Sequence, residues 1–213
     1  GLSHHQFTHL FPAAVMTGKD FPVFRLIIDG GEMEVALARK ERKIAQGHNG
    51  FAMLADGTVS VEEDLERRDT TMNAIAQDLL SNEVIDPFGG VEDIRAGIIR
   101  HVSDAFREDA LRVLRVARQA AKFGISVADE TVEMCRSCKE ELRTISAERV
   151  REEMLKALET ERPSVFFRTL VACDCLSVVF PELDALRGQT QPIEHHPEGD
   201  AFEHTIEVVD RTA

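Results

Sequence analysis

The sequence predicts an α+β fold: a strand-bearing part with a mixed sheet over residues 1–100, an all-helical part over 101–190, and the opening of a third unit over 191–213. Three observations predict it. Apolar segments separated by Gly-containing turns alternate near the start, apolar positions recur at helical spacing from Ser103 onward, and a polar stretch around His195 and Asp200 precedes one last helical pattern.

Strands are expected at 14–16, 21–28 and 33–38, and Asp29-Gly30-Gly31 between the last two is a tight-hairpin signal. Residues 39–63 have scattered Gly47, Gly50 and Gly57 and little periodicity, so they read as a long loop of the functional or mobile kind. A helix is expected at 70–80, a short strand at 83–85 and a turn at Asp86-Pro87-Phe88-Gly89-Gly90. In 107–123, Leu111, Leu114, Ala117 and Ala121 share one side of a helix that Gly124 stops. Further helices are expected at 129–142, 147–159, 164–173 and 202–210.

A chain of 213 residues is long enough for one or two domains with their own cores. No apolar run approaches the roughly 20 residues of a membrane helix and no signal peptide is visible, so the sequence reads as a cytoplasmic protein without a membrane partner. Trp and Tyr are absent, which leaves base stacking, if any, to Phe, His or Arg. The net charge of −13 sits badly with nucleic-acid binding, which draws on clustered Lys and Arg. A basic gripping surface is therefore either local, lined by Arg39, Arg42, Lys43, Arg67 and Arg68, or outside this chain. The four cysteines form Cys135-x-x-Cys138 and Cys173-x-Cys175; a zinc site needs the two pairs to converge, and buried small residues are the preferred reading.

Two constellations carry chemistry. Around Arg67-Arg68-Asp69 and Asn73, two guanidiniums, a capping carboxylate and an amide gather at the start of the helix expected at 70–80, as a phosphate-and-ribose site requires; a capped helix with surface arginines has the same pattern. In Arg107-Glu108-Asp109 to Arg115, helical spacing puts Glu108, Arg112 and Arg115 in one sector with Asp109 beside Arg112. An amphipathic helix with ordinary ion pairs looks alike.

The strings Asp20-Phe21-Pro22-Val23-Phe24, Glu34 to Arg39, Arg67-Arg68-Asp69 to Asn73-Ala74-Ile75-Ala76, Asp86-Pro87-Phe88-Gly89-Gly90-Val91-Glu92-Asp93, Arg107-Glu108-Asp109 to Arg115, and Glu148-Arg149-Val150-Arg151-Glu152-Glu153 occur in order. Together they resemble the class II tRNA nucleotidyltransferases, the CCA-adding enzymes, and their bacterial poly(A) polymerase relatives, over residues 15–190. The resemblance implies a nucleotidyltransferase head, an all-α neck and body, and the start of an HD domain. It implies that Arg68, Asp69 and Asn73 hold the triphosphate and ribose of the incoming nucleotide, with Asp69 accepting from the 2′-hydroxyl. Gly89, Gly90 and Asp93 would belong to a hinge, and Glu108, Asp109, Arg112 and Arg115 to the nucleotide-binding protein template. Arg149 and Glu153 would be an ion pair, four apart on one helix, that stiffens it.

The template idea agrees with the donor and acceptor inventory. Cytosine and adenine each present an amino donor beside a ring-nitrogen acceptor, whereas guanine and uracil present a carbonyl beside an N–H. A carboxylate accepts and a guanidinium donates, so Asp109 with Arg112 fits C and A.

Departures from the family pattern also matter. Its Gly-Gly-x-x-Arg-Asp turn and Asp-x-Asp pair, which bind Mg²⁺, are not in this sequence; the chain is expected to begin just past them and to be inactive alone. Glu34 is the candidate catalytic carboxylate near the metal, with a half-exposed strand Glu as the alternative. Thr70 stands where the family usually has an aromatic, which is expected to loosen packing. His204 matches the first metal-ligand His of an HD domain, but its partners are not in the sequence. The implied function of the complete protein is transfer of CMP and AMP from CTP and ATP to the 3′ end of tRNA. An A-adding, CC-adding or poly(A)-adding enzyme, or a non-catalytic nucleotide- or RNA-binding remnant, are the alternatives; the strings at 148–152 and 20–24 favour CCA over poly(A) addition, the loop at 39–63 weighs against a CC-only enzyme, and CCA versus A-only addition stays open.

Overall fold

The computed structural model describes residues 2–18, 23–43, 51–54, 58–192, 194 and 198–212. It divides into two compact units, Gly1–Arg67 and Arg68–Ala213. The division falls well before the change of secondary-structure character near residue 100.

The first unit contains α1 (His4–Leu10), β1 (Val15–Thr17), β2 (Val23–Ile28), β3 (Gly31–Ala36), β4 (Lys40–Lys43), β5 (Phe51–Leu54) and α2 (Val61–Glu66). Strands β1, β2 and β3 form an antiparallel sheet, and Ile28 pairs with Gly31 across a two-residue loop. Asp29 and Gly30 both take positive φ there, 51° and 80°, as the tightest hairpins require. Phe24 and Leu26 point to one face, where they meet Phe7, Ala14 and Val35. The stretch expected to be one long loop holds instead the β4–β5 hairpin and α2. Helix α2 opens with a capping box in which Ser60 Oγ accepts from the Glu63 N–H and Glu63 accepts from the Ser60 N–H.

The second unit contains β6 (Ala76–Gln77), β7 (Val84–Ile85), α3 (Gly90–Ala96), β8 (Ile98–Ile99), α4 (Leu111–Phe123), β9 (Ser126–Val127), α5 (Asp129–Ser137), α6 (Ala147–Leu158), α7 (Ser164–Ala172), α8 (Leu176–Val179), α9 (Pro181–Asp184) and α10 (Ala201–Thr212). Among the described residues β8–β9 is the one parallel pair, and the other ladders are antiparallel. Helix α4 is central. Its Val113, Leu114, Val116, Ala117, Ala120 and Ala121 pack with Phe166 and Leu170 of α7 and Ala157 of α6 in one core. Each large apolar side chain buried this fully contributes about 1.5–3 kcal/mol. No helix among the described residues is long and apolar enough to cross a membrane.

Several expectations are corrected here. The helix expected at 70–80 is a single 3-10 turn, Thr71–Asn73, followed by the β6–β7 hairpin. Asp78 Oδ1 accepts from the Leu80 and Ser81 N–H groups, and Asn82 takes φ 61°; this Asx turn offers the backbone a better partner than a helix would. The helix expected at 107–123 starts only at Leu111, because Asp109 is extended at φ −133°, ψ 104° after a 3-10 turn, Asp104–Glu108. The helix expected at 129–142 stops at Ser137, whose hydroxyl donates back to the Met134 carbonyl, and a separate 3-10 turn, Glu140–Thr144, follows.

Nor is Thr70 loosely packed: it is fully buried and its hydroxyl donates to Gln119 Oε1 at 3.0 Å. Helix α10, expected to open a third unit, packs into the second unit's core through Phe202 and Ile206. Asp210 ties it to the start of α7, accepting from the Ser164 N–H at 2.7 Å and the Ser164 hydroxyl at 2.6 Å. The two cysteine pairs do converge in this core, where all four are buried. Burial pushes the Cys175 thiol up to about 12, and no group of three or more His, Cys, Asp or Glu among the described residues could hold a metal ion.

Candidate functional site

The chemistry-bearing residues of the second unit gather on three connected pieces: the 3-10 turn after Asp69, the segment leading into α4, and the start of α6. Asp69 is their hub. Its Oδ1 accepts from the Thr70 N–H at 2.9 Å and from Asn73 Nδ2 at 3.0 Å. Its Oδ2 accepts from Arg115 Nε at 2.7 Å and from Gln119 Nε2 at 3.2 Å. The turn is thereby tied to α4. Beside it, Arg68 Nη1 donates to the Asn73 carbonyl at 2.9 Å, which holds the guanidinium across the turn. The extended helix whose positive end was expected here is absent; the cationic character of the place comes from Arg68 and Arg115.

Burial alone would raise the Asp69 pKa. The Arg115 charge, with hydrogen bonds from Asn73, Arg115 and the Thr70 N–H, outweighs it and holds the carboxyl below its usual range. A depressed folded-state pKa means that the unfolded chain binds the proton more readily. The Asp69 contribution to stability is then fully present above the unfolded value, about 3.9, and is lost as pH falls through the lower folded value. Melting curves of the wild type and Asp69→Asn should differ by a constant amount above about pH 5 and converge only below about pH 3.9. A gap that instead closes between pH 5 and 7 would show that Asp69 is not held in this ionised form.

The second cluster is built on Asp109. Because its backbone is extended, its Oδ1 reaches forward to accept from the Leu111 N–H at 3.0 Å and opens α4. Its Oδ2 accepts from Arg149 Nη2 at 2.8 Å. Arg112 is buried, and its Nη1 donates to the Ala105 carbonyl at 2.6 Å, which fixes the guanidinium next to the 3-10 turn. Glu108, half-buried, ends that turn.

The expected Arg149–Glu153 pair along α6 is not formed. Arg149 goes to Asp109, whereas buried Glu153 accepts from Arg118 Nε of α4 at 2.5 Å and lies 3.7 Å from Lys156 Nζ. Both α6 residues thus brace α4 from outside, a role that Arg118, three positions beyond Arg115, signals only once the packing of α4 on α6 is known.

The residues expected to form a hinge are held tightly. Gly89 takes φ 73°, and Asp86 caps α3 by accepting from the Gly90 N–H at 2.7 Å and the Val91 N–H at 2.9 Å. Asp93 accepts from the Thr71 hydroxyl at 2.8 Å and from Arg100 Nε at 3.1 Å. Thr71 and Arg100 are structural partners to which the sequence motifs gave no role of their own, and Asp86, read as the start of the turn and hinge string, serves as the acceptor that caps α3.

Glu34 lies on the exposed face of β3, opposite Arg25 in register, and belongs to the first unit. Of the basic residues expected to line a local positive face, Arg67 is pinned by Asp64 at 2.5 Å, and the side chains of Arg42 and Lys43 lie outside the described residues. His204 Nδ1 lies 3.1 Å from Glu198 Oε1, and residues 195–197 before it lie outside the described residues.

Fold and motif geometry together define a nucleotidyltransferase head segment joined to a helical body. The Poly A polymerase head domain family matches residues 3–100, and the family described as Probable RNA and SrmB-binding site of polymerase A matches residues 124–187. A Multifunctional CCA protein of Chromobacterium violaceum is 47% identical over 92% of this chain and 48% of its own length. The Bacillus stearothermophilus CCA-adding enzyme in complex with CTP superposes with TM-score 0.66 at 33% identity, covering 78% of this chain and 40% of that one. The Thermotoga maritima CCA-adding enzyme complexed with tRNA gives 0.63 at 26% identity, covering 84% and 40%. The chain belongs to the family of class II tRNA nucleotidyltransferases and bacterial poly(A) polymerases. It spans about half the length of the curated relatives it matches.

Proposed function

We propose that this chain supplies the nucleotide-selecting part of a CCA-adding enzyme, which transfers CMP and AMP from CTP and ATP to the 3′ end of tRNA with release of pyrophosphate. The observation that carries this is the fixed acceptor and donor at the start of α4: Asp109, steadied by Arg149 and the Leu111 N–H, and Arg112, steadied by the Ala105 carbonyl. An acceptor and a donor supplied together by these two side chains would complement the edge that cytosine and adenine share and mismatch guanine and uracil.

In this proposal Arg68, Arg115 and Asn73 meet the triphosphate and ribose, and Asp69 accepts from the ribose 2′-hydroxyl. Glu108 flanks the base reader, Arg118 and Glu153 brace it, and the Gly89, Gly90 and Asp93 segment is the fixed point about which any hinge motion turns. The solved relatives with CTP and with tRNA support nucleotide and tRNA as partners.

The family pattern calls for Mg²⁺ in the transfer itself. Glu34 is one carboxylate on an exposed strand face, and the described residues hold no cluster of three or more His, Cys, Asp or Glu suited to a metal ion, so they do not form that centre by themselves. Helix α10 packs on α7 in the second unit's core, and His204, 3.1 Å from Glu198 Oε1, belongs to no group of three or more His, Cys, Asp or Glu among the described residues that could hold a metal ion.

Calorimetric titration of the chain with each of the four nucleoside triphosphates tests the selection. CTP and ATP are expected to bind about 5- to 150-fold more tightly than GTP and UTP, the ratio that one lost polar contact of about 1–3 kcal/mol produces. Equal affinity for all four would overturn the proposal.

A further inference from the structure

Thr70 and Gln119 are both almost fully buried, 0% and 3% exposed, in a core where an unpaired polar group is costly. They pair with each other. The Thr70 hydroxyl donates to Gln119 Oε1 at 3.0 Å, and this fixes the amide so that its Nε2 donates to Asp69 Oδ2 at 3.2 Å. The flipped amide would set Oε1 against the ionised Asp69 carboxylate, so only one orientation is compatible with both neighbours.

A carboxylate offers about four acceptor sites, two on each oxygen. On Asp69 they are taken by the Thr70 N–H at 2.9 Å, Asn73 Nδ2 at 3.0 Å, Arg115 Nε at 2.7 Å and Gln119 Nε2 at 3.2 Å. A further hydroxyl donor can be accepted only where one of these yields. The Arg115 bond is short and charge-assisted, the Thr70 bond is local to the chain, and the Asn73 bond spans the 3-10 turn. Gln119 is neutral and holds the longest of the four contacts.

We propose that Gln119, oriented by Thr70, is a positioning residue that occupies the ribose-accepting side of Asp69 until a ribonucleotide 2′-hydroxyl displaces it, and so limits the size of the preference for ribo- over deoxyribonucleotides. This rests on the proposed role of Asp69 as the ribose acceptor. The binding equilibrium then contains an internal exchange: Asp69 Oδ2 loses the bond from Gln119 as it gains one from the ribose. A 2′-deoxynucleotide has no hydroxyl to exchange and leaves the amide in place. Removing the competing donor raises ribonucleotide affinity without raising that of the deoxy form.

The test uses the full chain and two probes, CTP and 2′-deoxy-CTP, with binding measured by calorimetry. The Thr70→Val/Gln119→Met double variant replaces the hydrogen-bonded pair by apolar groups of similar size, which keeps the core filled with no new unpaired group on either side chain. It is expected to raise the CTP to 2′-deoxy-CTP affinity ratio about 3- to 10-fold over wild type, the range set by one net hydrogen bond. Thr70→Val alone keeps the amide but removes the hydroxyl that orients it; it should move the ratio in the same direction by less, and it stands in if the double variant does not fold. A purely structural role changes the melting temperature of these variants and leaves the ratio where it was. A ratio that stays constant or falls in folded variants overturns the proposal for Gln119. A wild-type chain that binds CTP and 2′-deoxy-CTP equally overturns the Asp69 role itself, before any variant is read, and the Gln119 proposal with it.

Discussion

Replacing Gly90 by alanine is expected to destabilise the second unit by about 3 kcal/mol, within the range of overpacking a rigid site. A Cβ at this position would stand 2.2 Å from the Thr71 carbonyl oxygen, 2.7 Å from its carbon and 2.9 Å from Ile75 Cγ1. The backbone it meets cannot step aside. The Thr71 N–H donates to the Arg100 carbonyl at 2.9 Å, its hydroxyl donates to Asp93 Oδ2 at 2.8 Å, and its own carbonyl accepts from the Ala74 N–H at 2.9 Å. The adjacent Gly89 is a built-in control: an added Cβ there meets nothing within 4 Å, and the cost comes only from φ 73°. Gly89→Ala should therefore lose about 1 kcal/mol. Urea unfolding of the two variants measures the difference. A Gly90→Ala protein within about 1 kcal/mol of wild type would mean that Thr71 and α3 are not locked together as the structure has them. On this view Gly90 is required for close packing, and any hinge motion has to pivot around the Thr71–Asp93–Arg100 brace instead of through it.

The contrast between what was and was not legible in the sequence follows from the range of the interactions concerned. The Asp29-Gly30 hairpin is decided by two residues that tolerate positive φ, and the core face of α4 by its own Leu and Ala spacing, so both could be read locally. The Ser60-to-Glu63 capping box was equally local, but it was hidden inside a stretch whose scattered glycines dominated the pattern. Strand β4 is a wholly charged Lys-Glu-Arg-Lys run, which only its ladder with β5 makes a strand. At 70–80 the apolar residues keep a helical rhythm, yet Asp78 captures two backbone N–H groups and turns the chain.

The candidate site shows the same division. The ordered motifs named Asp69, Asn73, Arg115, Asp109 and Arg149, which the structure gathers into two clusters, but neither their pairings nor the parts taken by Arg118 and Gln119 were readable. Arg149 and Glu153 are correctly spaced for a bond along α6, but such a pair on an exposed helix face is worth only about 0.3–0.5 kcal/mol. The partners on the neighbouring segment are less exposed to water: Arg118 and Glu153 are 17% and 5% exposed, so their bond is less screened and wins. Helical-wheel reasoning likewise put Asp109 beside Arg112 on a regular helix, whereas its extended backbone is what aims it at both Arg149 and the first turn of α4.

Asp109→Ala is expected to reduce discrimination of C and A against G and U by one to two powers of ten, on the order of 1–3 kcal/mol for the lost polar contact. The structure also fixes what the same substitution should do to folding. It removes the acceptor for the Leu111 N–H, a capping loss of about 1 kcal/mol. It also removes the partner of Arg149, in a pair whose side chains are 26% and 25% exposed and which is worth at most about 1 kcal/mol. The variant should thus stay folded with a modestly lower melting temperature, and its nucleotide choice can be measured. Arg149→Ala separates the two roles. It leaves the Asp109 carboxylate and its bond to Leu111 in place but loosens Oδ2, so it should weaken selection by less than Asp109→Ala does. Titrating wild type, Asp109→Ala and Arg149→Ala with all four nucleoside triphosphates, with melting curves alongside, reads selection and folding independently. If Asp109→Ala folds and keeps the wild-type order of affinities, the carboxylate serves only to start α4 and hold Arg149, and base selection must lie elsewhere in the chain.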